Sequence, residues 1–133
     1  MRPFLGEREM PAAAATLGLE VVSAGGGACE LTFVGRPEFA NLAGAVQGGF
    51  VCAMLDSTAS CALLADLELD QFAPTIELKT NFLRPVPLGN ITGRGRVVHR
   101  GGTIAFLEGA LYDPSDTLLA TATVTAKIVR TGR

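Results

Sequence analysis

Residues 45–60 read AVQGGFVCAMLDSTAS, and two groups in this run could do chemistry together. Asp56 is the single acid in a stretch that is otherwise apolar or small. A carboxylate held in a cleft can serve as a general base or as a nucleophile, because its surroundings tune its basicity. Gly48 and Gly49 stand where a helix over these residues would begin, and the first amides of a helix lack intrahelical acceptors. Backed by the helix dipole, such amides can stabilise an oxyanion. Each group also has a plain structural reading. Asp56 can accept hydrogen bonds from Ser60, from Thr58 or from a neighbouring chain. Gly48-Gly49 can be an ordinary turn at a helix entry.

Spacing adds a constraint. Gly48 and Asp56 are eight residues apart, which is about 12 Å along one helix. They cannot both touch one carbonyl group from the same chain. If they serve one site, two chains must supply them across a two-fold axis, and such an interface makes two identical sites. The chemistry therefore predicts a dimer. Composition leans the same way, since 48% hydrophobic against 18% charged residues leaves few charges to cover a free-standing surface.

The elements that would position these groups follow from periodicity. A helix is expected over residues 48–65, with Phe50, Val51, Met54 and Leu55 on the half that packs on a sheet. The other half carries Cys52, Ala53, Asp56, Ser60 and Leu63. A solvated face would show Lys and Glu, so this small-residue face also reads as covered. An alanine-rich N-terminal helical segment is expected within residues 1–17. GGG at 25–27 is a turn between two strand-like runs, 19–24 and 29–35, because glycine takes positive φ freely. Residues 36–47 read as loop, and DQFAP at 70–74 as a breaker. Four strand-like runs follow, at 75–84, 90–100, 103–113 and 117–130, joined at hairpin spacing. In the last run Leu119, Thr121, Thr123 and Thr125 alternate against Leu118, Ala120, Ala122, Val124 and Ala126. One long helix with about six mostly antiparallel strands is an α+β fold, and 133 residues suit a single domain.

Other classes are excluded on the same terms. A net charge of −2 without any Lys/Arg run argues against nucleic acid as a partner. Three cysteines without CxxC spacing, Cys29, Cys52 and Cys61, read as reduced packing residues of a cytoplasmic protein. His99 is the one histidine, so no His-rich metal centre is expected. Neither a secretory signal nor a membrane span is expected, because no apolar run is long and unbroken enough.

Taken in order, Asn41 followed by GAVQGG, Asp56 eight residues after Gly48, the run PTIELKTNFLRPVPLG, and the ending LLATATVTAKI resemble the hotdog-fold acyl-CoA thioesterases of the phenylacetate-degradation type. The resemblance spans roughly residues 17–129. It implies a long central helix wrapped by an antiparallel sheet, with a homodimer joined edge to edge and extended to a dimer of dimers. It implies that Gly48 polarises the thioester carbonyl through its N–H, and that Asp56 of the other subunit is base or nucleophile. Asn41 would orient the water or the carboxylate. Thr75 matches a hydroxyl position that assists the water in some members, and reads equally as a β-branched strand opener. Gly49 and Ser60 would lie beside the substrate.

Where many members read HGG this chain reads QGG. Gln47 can donate a hydrogen bond or fix the loop but cannot exchange a proton near neutral pH. Coenzyme A arrives as part of the substrate, so no separate cofactor or metal is implied. Arg84, His99 and Arg100 are candidate phosphate contacts, although the last two also fit a plain solvated hairpin. Phe50, Phe82 and Leu83 are candidates to line the acyl pocket, with core packing as the alternative. Two other functions stay open. A hotdog hydratase or dehydratase would pair a histidine with the acid, and a non-catalytic acyl-CoA binding module would suit Gln47.

Overall fold

The computed structural model describes residues 9–131. A short helix, α1 (Ala12–Leu17), stops at Gly18, which takes the left-handed conformation at φ 64°. It falls at the end of the expected N-terminal segment, whose residues 1–8 lie outside the described residues. Strands β1 (Glu20–Gly25) and β2 (Ala28–Gly35) form the hairpin expected around the glycine turn. A 3-10 turn (Pro37–Phe39) interrupts the loop before the long helix α2 (Gly48–Leu64). Strands β3 (Gln71–Phe72), β4 (Thr75–Phe82), β5 (Gly89–Arg100), β6 (Ile104–Tyr112), β7 (Leu118–Lys127) and β8 (Val129–Arg130) complete the order.

Six strands make one antiparallel sheet in the order β1-β2-β5-β6-β7-β4, and α2 packs across one face of it on β2, β5, β6, β7 and β4. This is the hotdog arrangement the resemblance implied. Two places depart from the local reading. Gln71 and Phe72, taken as part of a breaker, pair with Arg130 and Val129 in a separate two-stranded ribbon. The expected run 117–130 is accordingly split, with the Ile128 amide donating to Thr103 O at 2.6 Å between the two parts.

Alternation places the core. In β7, Ala120, Ala122, Val124 and Ala126 are buried while Thr123 is exposed. Leu119, expected on the threonine side, is buried too, because the pairing slips between Leu111 and Tyr112 and skips it. Such a bulge reverses which face a side chain meets. In β5, Gly93 and Gly95 stand under α2, and a methyl on either would land on the Thr58 hydroxyl or the Thr58 carbonyl. Glycine lets the helix backbone sit directly on the sheet. Met54, Leu55, Val51 and Ala59 fill the resulting contact, each large side chain contributing roughly 1.5–3 kcal/mol by leaving water.

The expected azimuths of α2 hold at Val51, Met54 and Leu55, with two corrections. Leu63, placed with the small-residue face, is 1% exposed and packs with Leu67, Ala105 and Ile128. It shares the azimuth of Asp56, but the chain closes over the helix at its C-terminal end. Phe50 is half-buried at the margin of the core, where it stacks on Phe39 of the 3-10 turn with ring centroids 4.1 Å apart.

Candidate active site

Asp56 is half-buried on the side of α2 that faces β4. Helical spacing puts Cys52 one turn before it, and β4 supplies a threonine to each. Thr80 Oγ1 lies 3.4 Å from Cys52 Sγ, and Thr75 Oγ1 donates to Asp56 Oδ1 at 2.7 Å. The small-residue face is thus covered in part by the edge strand. Neither hydroxyl first considered is the partner of Asp56. Thr58 is fully buried and donates back to Met54 O at 2.7 Å, an i−4 bond within the helix. Ser60 lines the same cleft as Asp56 without bonding to it.

That cleft, about 360 Å³, lies between α1 and α2 and is lined by Glu9, Ala13, Leu19, Ser60, Cys61 and Leu64 beside Asp56. No Lys, Arg or His is among the described residues of its lining. Asp56 Oδ2 has no donor among the described residues and opens to this space. Glu9 and Leu19 had no motif to announce them, and Leu64 reaches the cleft along α2 itself, about two turns after Asp56.

The amide end of α2 opens elsewhere. Gly48 lines a second cleft of about 330 Å³ with Asn41, Val46, Phe82, Leu83 and Arg84. Gln47 caps the helix with extended backbone (φ −59°, ψ 145°), and its carbonyl accepts the amides of Phe50 and Val51 at 3.0 and 3.1 Å. Its side chain makes no capping bond and is exposed. The Gly48 and Gly49 amides precede the first helical hydrogen bonds and have no acceptor among the described residues. Asn41 shapes the approach, since its Oδ1 accepts from Ala43 N at 2.9 Å and Ala45 N at 3.1 Å. The Phe82 ring lies over Gly48, 3.4 Å from where a β-carbon would sit.

The expected residues therefore divide into two loci within a chain. Asp56, Thr75 and Ser60 meet at one, and Gly48, Asn41, Phe82, Leu83 and Arg84 at the other, with Gln47 and Gly49 at the same helix entry. Phe50 joins neither lining, because the stack with Phe39 claims its ring. The three candidate phosphate contacts are not gathered. Arg84 donates to Leu118 O at 2.9 Å, which through Tyr112 is level with Thr92 of β5. His99 and Arg100 are exposed at the far end of that strand, about 20 Å away at 3.3 Å per residue. His99 is also remote from Asp56 within the chain. Its neighbour Arg100 is level with Thr75 only across β6 and β7, about 14 Å.

The outer face of the sheet carries a feature that motif reading passed over. Arg94 and Arg96 project there with Lys79, Glu108 and Tyr112 around a shallow groove of about 390 Å³. Arg94 bonds Asp116 at 2.9 Å and lies 4.6 Å over the Tyr112 ring, and Arg96 pairs with Glu108 at 3.0 Å. The alternation in GRGR at 93–96 held that information, glycines toward the helix and arginines outward. Among the described residues no group of three or more His, Cys, Asp or Glu could hold a metal ion. None of the helices there is long and apolar enough to cross a membrane.

The model of the thioesterase superfamily matches residues 43–120, which include Gly48, Asp56 and Thr75. A candidate thioesterase from Ralstonia eutropha JMP134, described as related to phenylacetic acid degradation, has a structure 36% identical in sequence. It superposes with a TM-score of 0.88 over 95% of this chain and 96% of its own. A candidate esterase of Saccharolobus solfataricus is 34% identical over 97 residues, 72% of this chain and 68% of that protein. The Escherichia coli PaaI protein from the phenylacetic acid degradation operon is 20% identical, shares the fold at a TM-score of 0.80, and is covered over 87% of each chain. The chain belongs to the thioesterase superfamily and is a hotdog-fold hydrolase.

Proposed function

We propose that the protein hydrolyses acyl-CoA thioesters to a free acid and coenzyme A, at two equivalent sites shared between the protomers of a homodimer. The observation that carries this reading is the division of the chemistry along α2. A free amide stands at its entry and a hydroxyl-held carboxylate two turns on, each opening into its own cleft. One chain supplies both halves of a site but cannot bring them together. A two-fold axis with antiparallel helices would place the Gly48 amide of one subunit opposite the Asp56 carboxylate of the other.

Support for the pairing comes from β4. It is an edge strand of the sheet and exposes Ile76 and Phe82 to 59% and 56%, with Leu83 just past its end at 53%. An apolar edge of that kind is a template for another strand. In the resulting site the Gly48 N–H polarises the thioester carbonyl and takes up the developing oxyanion charge, an effect worth about 3–4 kcal/mol for one donor. Asp56 Oδ2 removes a proton from the attacking water while Thr75 fixes Oδ1. The thiolate of coenzyme A leaves as the tetrahedral carbon collapses. Gln47 then has a role in holding the helix entry and none in proton transfer, which agrees with a base already present in Asp56. The three free thiols suit a reducing, cytoplasmic compartment.

Complementation tests the reading. Proline is tolerated at the first position of a helix and has no N–H. The extended backbone of Gln47 also suits the residue before a proline. Gly48→Pro should therefore remove the amide while keeping α2, and Asp56→Asn removes the base. Each variant alone should lose at least about a hundredfold in kcat on an acyl-CoA panel. Mixed after co-refolding, half the dimers carry one intact site of two, so about one-quarter of the activity returns. Activity that stays absent on mixing, or full turnover in either single variant, would overturn the shared site.

A further inference from the structure

One apolar side chain stands apart from the others on the surface. Leu42 is 109% exposed, whereas Val22, the next most exposed large apolar residue among those described, is at 60%. A lone apolar residue in water normally needs no explanation. Leu42 differs in how firmly it is held out. Asn41 closes the loop beneath it. Its Oδ1 accepts from Ala43 N at 2.9 Å and Ala45 N at 3.1 Å, its amide donates to Ala45 O at 2.7 Å, and its carbonyl accepts from Gly44 N at 3.0 Å. Gly44 completes the turn at φ 82°, in the left-handed region that glycine enters freely. Below the turn Ala40 bridges to Val46, and the amides of Val46 and Gln47 donate to Val86 O and Phe39 O at 2.8 and 2.7 Å. The loop is a pedestal, and the apolar knob on top of it packs on nothing in its own chain.

The path of the chain gives the knob a direction. The loop leads through Gln47 into Gly48 and lines the Gly48 cleft with Asn41, Ala43 and Ala45. In the shared site proposed above, on which this inference rests, the two helices run antiparallel and Gly48 faces the partner's Asp56. Residues before Gly48 then continue past positions after the partner's Asp56, namely Ser60 and Leu64, about one and two turns on. Both line the Asp56 cleft, with Ala13, Leu19 and Cys61. The edge strand gives the same direction. Phe82, over Gly48, ends β4, and Thr75, which holds Asp56, begins it. Antiparallel pairing of two such edges about their middle brings Phe82 to the partner's Thr75, and the loop beside it to the partner's cleft.

We infer that Leu42 of each protomer seats in the Asp56 cleft of the other, between α1 and α2, where it forms the end wall of the acyl pocket and limits acyl length. The cleft supplies the cover that the knob lacks, since Ala13, Leu19 and Leu64 make much of its wall apolar. Its volume of about 360 Å³ is near the lower end for ligand pockets. A leucine entering it leaves room for a short acyl group only. Leu42 thus acts on substrate length and takes no part in proton transfer.

Two measurements test this. In a chain carrying Leu42→Cys and Ser60→Cys, mild oxidation should join the two positions between protomers. A covalent dimer should form on a non-reducing gel, with a peptide pair linked through positions 42 and 60 by mass. Either single variant, with the native cysteines in place, should give no such dimer. Leu42 is fully exposed in its own chain, so its replacement leaves the protomer fold intact. Across straight-chain acyl-CoA thioesters of increasing length, Leu42→Ala opens the pocket by an isopropyl group. It should raise the ratio of kcat/KM for long over short chains at least about tenfold, and Leu42→Trp should lower that ratio. On substrates short enough to clear the wall, wild type and Leu42→Ala should share one kcat. A dimer by sedimentation that yields no such link, or a link formed within one chain, would overturn the seat. A length profile unmoved by both variants would overturn the role in specificity. Either failure leaves the shared thioesterase site standing, whereas a monomeric wild type would overturn both readings. A dimer inert to every thioester would count against the activity alone, because the cross-link reads the seat without turnover.

Discussion

Replacing Thr75 by valine isolates the hydrogen bond that holds Asp56. Valine keeps the shape and the β-preference of the strand opener and removes only the hydroxyl. The bond is 2.7 Å long and ends on a carboxylate oxygen. Bonds to charged groups contribute about 1.5–3 kcal/mol when well shielded. Here Asp56 is half-buried and borders an open cleft of about 360 Å³, so water can take over part of the bond. A loss of about 1–2 kcal/mol in the chemical step is the expected scale, which is roughly 5- to 30-fold in kcat. KM should change little, because Thr75 acts through Asp56 and is absent from the lining of either cleft. Release of free coenzyme A from a series of acyl-CoA thioesters gives both constants. Thr75→Ser, which restores the hydroxyl, should recover most of kcat. Thr80→Val, whose hydroxyl meets Cys52 instead, should leave it unchanged. A valine variant with wild-type kcat, or a serine variant as impaired as valine, would refute the positioning role.

Two further outcomes follow from packing and protonation. Gly95→Ala pushes a methyl into the Thr58 carbonyl; overpacking of this kind costs about 1–3 kcal/mol, and calorimetry should find a clearly lowered midpoint, while Gly102→Ala, with open space around it, should stay near wild type. The Cys61 thiol is held above its ordinary value of 9.0, mainly by the hydrogen bond it gives to Cys29. The folded state keeps that proton where the unfolded chain releases it, so stability is full below about pH 9 and declines above it by up to ~1.4 kcal/mol per pH unit. Cys29, held low, contributes with the opposite sign, its stabilisation present at high pH and lost as pH falls through its lowered value. Urea unfolding at a series of alkaline pH values should find the decline in wild type and not in a variant that carries both Cys29→Ala and Cys61→Ala.

The elements legible in the sequence are those whose signal is local. The helix expected over 48–65 is Gly48–Leu64, and every strand of the main sheet falls within a few residues of its expected run. Contacts between distant residues were not legible. The ribbon of Gln71-Phe72 with Val129-Arg130 is too short for periodicity to register and joins segments nearly sixty residues apart. The burial of Leu119 depends on a bulge opposite Leu111, and that of Leu63 on Leu67 and Ile128 folding over the helix end. A helical wheel gives azimuth, but it cannot say what covers that azimuth at each level. Phe50 illustrates the cost: its partner Phe39 arrives from a 3-10 turn inside a segment that reads as featureless loop. Likewise Arg84, His99 and Arg100 share a charge type, and only strand register reveals that they lie at different ends of the sheet.

The question of how an apolar central helix tolerates Asp56 has its answer in the asymmetry of the sheet around it. On one side Gly93 and Gly95 let α2 sink until its backbone meets β5. The opposite side is met by an edge strand, and that strand offers threonine hydroxyls instead of a second apolar layer. A full hydrophobic cover over Asp56 would force the carboxylate to neutralise or to find a cation. A cation would hold it as an inert ion pair. The observed surroundings do neither, since one oxygen is fixed by Thr75 and the other opens to a cleft with no basic side chain among the described residues of its lining. The charge stays hydrated and directed, as a base for water must be, and the small side chains beside it leave room for what it acts on.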